Sequence, residues 1–222
     1  KSKRGLLALL MALLTALGAV VSAPQASAAN RDWLRPDSTG TCEWDRVGFW
    51  VQRCTVWSPA MGRHITVQIQ PAQRGGNAGL YMLDGLRATE ITNAWVNDVN
   101  AAQMFKDNNI TLVMPVGGQS SFYTDWNAPA TYDFNHPVTY KWDTFLSQEL
   151  PSYLRDNFGV SPTNNSILGL SMGGTAAINL AALHPNQFRQ VLSYSGYLTT
   201  TIPGGQTALR VALLDGGLYN LN

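Results

Sequence analysis

The sequence is poor in charged residues and carries no cluster of like charge outside its first residues. Of its 222 residues only 13% are Asp, Glu, Lys or Arg, and the formal net charge is +1. No basic run follows the first four residues, so the basic surface of a nucleic-acid-binding protein is missing, and we exclude nucleic acid as a partner. The 45% of apolar residues are enough for one well-buried globular domain.

The start of the chain has the pattern of an export signal. Three basic residues precede an apolar run at 5–21, and the small residues Ala26 and Ala28 follow it. A permanent membrane anchor is the alternative, but the run is barely long enough to span a bilayer and no second apolar span follows it. We predict a secretory signal peptide at residues 1–28 and a secreted protein, in the cell envelope or outside the cell, whose domain is 29–222.

Cysteine and histidine are both scarce, which argues against a metal site. The chain has two cysteines, Cys42 and Cys54, with only His64 in the same region, whereas zinc needs three or four ligands. No motif marks either cysteine as a nucleophile. Because exported thiols tend to be oxidised, we predict a structural disulfide between Cys42 and Cys54, and we expect neither metal nor cofactor.

Strand-like and helix-like segments alternate along the chain, which indicates the α/β class. We predict strands at 49–56, 65–69, 79–83, 110–116 and 166–168, and helices at 94–105, 144–158 and 175–183. Asn30 to Gly40 is polar and is predicted to be an extended arm. Gly118 to Tyr140 is aromatic, lacks periodicity and is too long for a simple connection, so we interpret it as a functional surface loop.

The segment from Gly169 to Gly173 has the pattern G-x-S-x-G between a predicted strand and a predicted helix. This is the nucleophile elbow, in which a strained turn exposes the serine and small neighbours let strand and helix approach each other. Ser171 is therefore the candidate nucleophile, and the backbone amide of Met172 points towards an oxyanion formed there. We predict an α/β-hydrolase fold: a central, mostly parallel sheet with flanking helices.

A second oxyanion amide is expected from the loop after an earlier strand. The segment Asp84 to Arg87 leaves the predicted strand 79–83, and places the amide of Leu86 in that role. Arg87 is either a substrate-binding residue or a solvated loop cation on this pattern alone.

The chain offers no convincing catalytic acid or histidine after Ser171. Only His184 and Asp215 follow it, and His184 lies thirteen residues further along the predicted helix, about 20 Å away at 1.5 Å per residue. His64 and His136 precede the elbow, which is the wrong order for this fold. We therefore expect the protein to continue past Asn222, with the acid and histidine of the triad in that part.

Several motifs together resemble the mycolyltransferases of the antigen 85 group, in particular its corynebacterial and related actinobacterial members. The resemblance covers roughly residues 45–215 and is far more specific than the elbow alone. The matching segments are Leu83–Ala88, Val113–Tyr123, Asp125–Trp126, Lys141–Trp142, Glu149–Pro151, Gly169–Met172 and His184–Pro185.

This resemblance implies transfer of a mycoloyl group from trehalose monomycolate to Ser171 and then to a second trehalose monomycolate or to cell-wall arabinogalactan. It implies that Leu86 and Met172 give the oxyanion amides and that Asp84 and Arg87 contact trehalose. The glutamate and histidine of the family fall past Asn222. The implied partners are trehalose mycolates and cell-wall glycan, and host fibronectin, which members of the group bind.

Two other functions stay open at this point. A secreted carboxylesterase would share the elbow and release the acyl group to water. A non-catalytic surface-binding member would keep fibronectin binding without Ser171.

Overall fold

Seven strands of the described part of the chain form one mixed sheet in the order β1-β2-β3-β5-β4-β6-β7. The computed structural model describes residues 31–130, 137–199, 201–214 and 219. The strands are β1 (Glu43–Trp44), β2 (Gln52–Ser58), β3 (Arg63–Gln70), β4 (Gly79–Leu83), β5 (Thr111–Pro115), β6 (Asn165–Leu170) and β7 (Phe188–Tyr194). The pairs β1–β2, β2–β3 and β3–β5 are antiparallel, whereas β4–β5, β4–β6 and β6–β7 are parallel.

From β4 onwards each strand is followed by one or more helices, as the α/β pattern predicts. They are α1 (Ala94–Asn97), α2 (Ala101–Met104), α3 (Trp142–Thr144), α4 (Leu150–Phe158), α5 (Met172–Leu183) and α6 (Pro203–Leu214), with a π-helical turn (Phe145–Glu149) joining α3 to α4. The prediction of one helix over 94–105 is wrong, because Asn100 adopts a left-handed φ of 55° between α1 and α2.

The sheet is covered on both faces at its centre. Every residue of β4 and β5 is buried, which is typical of strands that have helices on both sides. Tyr81 and Leu83 of β4 belong to the larger apolar cluster, whereas Leu80 and Met82 belong to a smaller one with Val96. The two-residue period of a strand thus divides the core between the faces.

The amino-terminal residues of the described part pack against the domain. The predicted disulfide is confirmed, because Cys42 and Cys54 are bonded and both are buried. Arg35 is 1% exposed, and its guanidinium carbon lies 4.4 Å from the ring centre of Trp33 and 5.0 Å from that of Phe158. The contact with Phe158, which lies in α4, therefore joins the predicted arm to the rest of the fold.

Some sequence predictions fall on residues outside the described ranges. They are the signal peptide at 1–28 and the side chains of His136 and Asp215. Within the described ranges, no helix has the length and apolar character needed to span a membrane.

Candidate active site

Ser171 occupies the turn between β6 and α5, as the elbow motif predicts. Its φ of 55° and ψ of −115° lie in a region that residues other than glycine rarely adopt. Its N–H donates a hydrogen bond of 2.7 Å to the carbonyl oxygen of Tyr194 at the end of β7, and the residue is exposed. The strained turn therefore presents the hydroxyl to solvent, where a substrate can reach it.

Two glycines allow the strand and the helix to approach each other at this turn. A methyl group at Gly169 would overlap the carbonyl oxygen of Gly173. A methyl group at Gly173 would overlap the carbonyl oxygen of Asp84 and lie 2.6 Å from that of Leu83. The second contact shows that the elbow touches the end of β4, where the other oxyanion amide is expected.

Met172 is the first residue of α5, so its backbone amide lies at the amino terminus of the helix. The first four N–H groups of a helix have no partner inside the helix, and the helix dipole adds partial positive charge there. The side chain of Met172 is 2% exposed, and its Sδ accepts a hydrogen bond of 3.3 Å from the N–H of Phe122.

Asp84 begins the loop after β4 and is held by backbone amides. Its Oδ1 accepts from the N–H of Gly85 at 2.7 Å, and its Oδ2 accepts from the N–H of Ala94 at 2.9 Å. Burial raises the pKa of the Asp84 carboxyl above its usual range, although these two hydrogen bonds oppose the shift. The carboxylate therefore orders the loop from within, with 8% of the residue exposed.

Leu86 and Arg87 follow in the same loop. The carbonyl oxygen of Leu86 accepts a hydrogen bond of 2.9 Å from the N–H of Ser120, and the side chain of Arg87 is exposed. A methyl group at Gly85 would lie 3.8 Å from the carbonyl oxygen of Leu170 in the elbow. The loop and the elbow are thus neighbours, as a pair of oxyanion donors requires.

The described histidines lie away from the elbow. His184 follows the last residue of α5, and its Nε2 is 2.6 Å from Oδ1 of Asp143. His64 is on β3 and packs edge-on against Trp57. In the ranges that the structure describes, neither histidine hydrogen-bonds to Ser171, and no group of three or more His, Cys, Asp or Glu side chains forms a metal site.

The aromatic residues of the long loop divide between core and surface. Tyr123 and Trp142 are 1% exposed and pack edge to face with their ring centres 5.3 Å apart. Phe122 and Trp126 are only partly buried. A cavity of about 250 Å³ opens beside Phe122, and its lining includes Leu180 of α5.

Two contacts in this part of the fold join residues that the sequence did not predict to pair. One is the hydrogen bond of 3.1 Å that the hydroxyl of Tyr123 accepts from the N–H of Asp84. The other is the contact between His184 and Asp143. The members of each pair are far apart in sequence. The aromatic character of the long loop is the one sequence feature that pointed to the contact of Tyr123 with Asp84.

Comparisons with known proteins agree on the fold and on the family resemblance. A family model described as "Putative esterase" matches residues 58–215. The chain is 46% identical over 177 residues to "Diacylglycerol acyltransferase/mycolyltransferase Ag85B" of Mycolicibacterium smegmatis, covering 80% of this chain and 54% of that protein. This relative confirms the predicted resemblance to antigen 85 mycolyltransferases.

Two solved structures confirm the α/β-hydrolase fold. The crystal structure of MPT51 (FbpC1) of Mycobacterium tuberculosis matches with a TM-score of 0.66 and 34% identity, covering 74% of this chain and 58% of that one. An S-formylglutathione hydrolase from Agrobacterium tumefaciens matches with a TM-score of 0.58 and 18% identity, covering 77% and 70%. The chain spans about half the length of the curated relatives that it matches.

Proposed function

The chain belongs to the esterase family whose model matches residues 58–215, and from this premise we propose that it is a secreted serine acyltransferase. It moves mycoloyl groups from trehalose monomycolate to trehalose monomycolate or cell-wall arabinogalactan through an acyl-enzyme on Ser171. The observation that carries the proposal is the exposed Ser171 at a positive-φ turn, directly before the amino terminus of α5.

The proposed reaction has two steps that share one oxyanion site. The Oγ atom of Ser171 attacks the ester carbonyl of trehalose monomycolate while its proton passes to a general base that lies outside the described contacts of Ser171. The amides of Leu86 and Met172 stabilise the charge on the carbonyl oxygen, and the bond to the trehalose oxygen breaks as trehalose leaves protonated. An acceptor hydroxyl then attacks the acyl-serine, which releases the ester product and restores Ser171.

Transfer outside the cell requires that a sugar acceptor compete with water. A bound acceptor gains from proximity and from the displacement of water at the acyl-enzyme. In the proposal, Asp84 orders the loop and accepts from a sugar hydroxyl, and the exposed Arg87 donates to sugar oxygens. The partly buried Phe122 and the cavity beside it provide apolar surface for the acyl chain.

The test compares the full-length protein with its Ser171→Ala variant. We expect a fluorophosphonate probe to label Ser171, and trehalose monomycolate to be converted to trehalose dimycolate, in the wild-type protein only. Mass spectrometry of the labelled peptide identifies the modified residue. Label on another residue, or equal transfer by Ser171→Ala, would contradict the proposal.

The second candidate function is ester hydrolysis, which the exposure of Ser171 to solvent favours. The same assay distinguishes it, because a hydrolase releases free mycolic acid even at saturating trehalose, whereas a transferase yields mainly transferred product. Fibronectin binding without either reaction, unchanged in Ser171→Ala, would instead indicate a surface-binding protein.

A further inference from the structure

The segment Gly117–Tyr123, which follows β5 and includes the start of the long loop, contains an unusual number of residues with positive φ. Ser120, Phe122 and Tyr123 have φ values of 53°, 52° and 48°, and they follow two glycines that also have positive φ. Residues with a Cβ rarely adopt this conformation, and several of them together persist only where surrounding contacts hold them. The contacts of this segment therefore indicate which parts of the site the strained backbone holds in place.

Two of these contacts hold the loop after β4. The N–H of Ser120 donates to the carbonyl oxygen of Leu86 at 2.9 Å. The Oη atom of Tyr123 accepts from the N–H of Asp84 at 3.1 Å. Along the chain, the amide of Leu86 lies between the N–H of Asp84 and the carbonyl oxygen of Leu86. The hydrogen bonds of these two groups therefore restrict the direction in which the amide points.

A third contact holds the elbow. The N–H of Phe122 donates to Sδ of Met172 at 3.3 Å, and Met172 is the residue whose own amide is the other proposed oxyanion donor. One strained segment thus contacts both elements that carry the two amides.

Tyr123 is the largest of the almost fully buried side chains in this set of contacts. It is 1% exposed, its ring packs against Trp142, and its Oη also lies 3.4 Å from the carbonyl oxygen of Gly117. Burial raises the pKa of the phenol strongly, so the hydroxyl stays protonated. It therefore donates to Gly117 while it accepts from Asp84, and it links the two loops with one atom.

We propose that Tyr123 is a positioning residue for acyl transfer: its hydroxyl ties the segment Gly117–Tyr123 to the loop after β4 and so fixes the Leu86 amide relative to the Met172 amide. This inference rests on the proposed function of Ser171. Oxyanion donors act through fixed geometry, because they stabilise charge that develops only in the transition state. Loss of the link is expected to lower the rate of acylation and to leave ground-state binding of the substrate intact.

The experiment compares Tyr123→Phe with Tyr81→Phe in the full-length protein. Tyr81 is a matched control because it is 0% exposed and lies on β4, and its hydroxyl interacts with Gln187 without a hydrogen bond of standard geometry among the described residues. We expect Tyr123→Phe to lower kcat roughly tenfold, less than removal of a donor outright, with KM within about twofold of wild type. The rate of fluorophosphonate labelling of Ser171 is expected to fall in parallel, and Tyr81→Phe is expected to change neither.

The outcomes separate the two proposals. If wild-type protein is labelled at Ser171 but Tyr123→Phe keeps the wild-type kcat, or loses activity through KM, the positioning role is wrong and the proposed function stands. If the wild-type protein is not labelled at Ser171, both are wrong. If the wild-type protein hydrolyses the ester instead of transferring the acyl group, kcat and KM of hydrolysis are compared among the same variants.

A second variant decides the question if Tyr123→Phe does not fold. Met172→Leu removes the sulfur that accepts from Phe122 but keeps the size of the side chain, and Met114→Leu on the buried strand β5 is its control. A fall in kcat at constant KM in Met172→Leu alone supports the positioning of the two amides by the segment that contains Tyr123, whereas unchanged kcat overturns it.

Discussion

At the scale of single residues, the site depends on backbone positions that only certain side chains tolerate. Ser171 holds a positive φ because α5 and β7 fix both sides of the turn, through its N–H to Tyr194 and through the amide of Thr175 to its own carbonyl. Gly169 must lack a side chain, because any side chain there would displace the backbone of Gly173. The strand and the helix can therefore meet only where these residues stand.

Substitution of Gly169 tests this requirement. We expect Gly169→Ala to lower the free energy of unfolding by about 1–3 kcal/mol, because the methyl group overlaps backbone that cannot move freely. Gly204→Ala is the control, because Gly204 lies in α6 with nothing within 4 Å of the added methyl group and without a positive φ. Urea unfolding of the full-length protein gives both values, and equal midpoints for Gly169→Ala and wild type would contradict the argument.

At the scale of elements, a carboxylate joins the amino-terminal residues to β2. Asp37 accepts through Oδ2 from the N–H of Thr55 at 2.8 Å, and through Oδ1 from the N–H and the hydroxyl of Thr39, each at 2.8 Å. Burial acts to raise the pKa of Asp37, but these hydrogen bonds outweigh it and the pKa lies below its usual value. The ionised form is therefore the one that the fold stabilises.

This shift predicts a pH dependence of stability. Because the folded-state pKa of Asp37 is lower than the unfolded-state value of about 3.9, its contribution is present above that value and is lost as the pH falls through the folded-state pKa. We expect Asp37→Asn to reduce the difference in unfolding free energy between about pH 7 and about pH 3.

The control for Asp37 is Asp156→Asn. The pKa of Asp156 is also lowered, by its hydrogen bond to Arg155, but the group is fully exposed and solvent screens the pair. Urea titrations at the two pH values are expected to show almost no effect for Asp156→Asn. An equal effect of both substitutions would contradict a specific contribution of Asp37 to the pH dependence of stability.

At the scale of the whole molecule, β7 is an edge strand of the described sheet with several exposed apolar side chains. It lies at the edge and pairs only with β6 in the part of the chain that the structure describes. Val191, Leu192 and Tyr194 are 42%, 43% and 49% exposed. An open edge with apolar residues on both faces is a template for pairing with another chain.

We expect the 222-residue chain to self-associate through this edge, and Leu192→Lys to shift it towards the monomer, because a charged side chain on an edge strand disfavours pairing. Ile91→Lys is the control, since Ile91 is 75% exposed but lies in the loop before α1. Size-exclusion chromatography with light scattering measures the mass. The edge is not responsible if Leu192→Lys leaves the mass unchanged, or if Ile91→Lys lowers it by the same amount.

The features predicted correctly from the sequence are those that depend on neighbours along the chain. The elbow turn at Ser171 follows from the spacing of its glycines, the buried strands β4 and β5 follow from short apolar runs, and the disulfide follows from two nearby cysteines in a chain predicted to be exported. Each of these features is encoded within about a dozen residues, so local pattern is sufficient to find it.

Tertiary structure decided the contacts between segments that are distant in sequence. The hydrogen bond between Asp84 and Tyr123 joins residues 39 apart, and that between Asp143 and His184 joins residues 41 apart. Asn100 breaks the predicted helix although the apolar spacing continues through it. By itself the sequence determined where the proposed nucleophile, Ser171, stands and which turn presents it. Only the folded sheet decided which contacts hold the two proposed oxyanion amides, because those contacts form between loops that the parallel strands bring to the same edge.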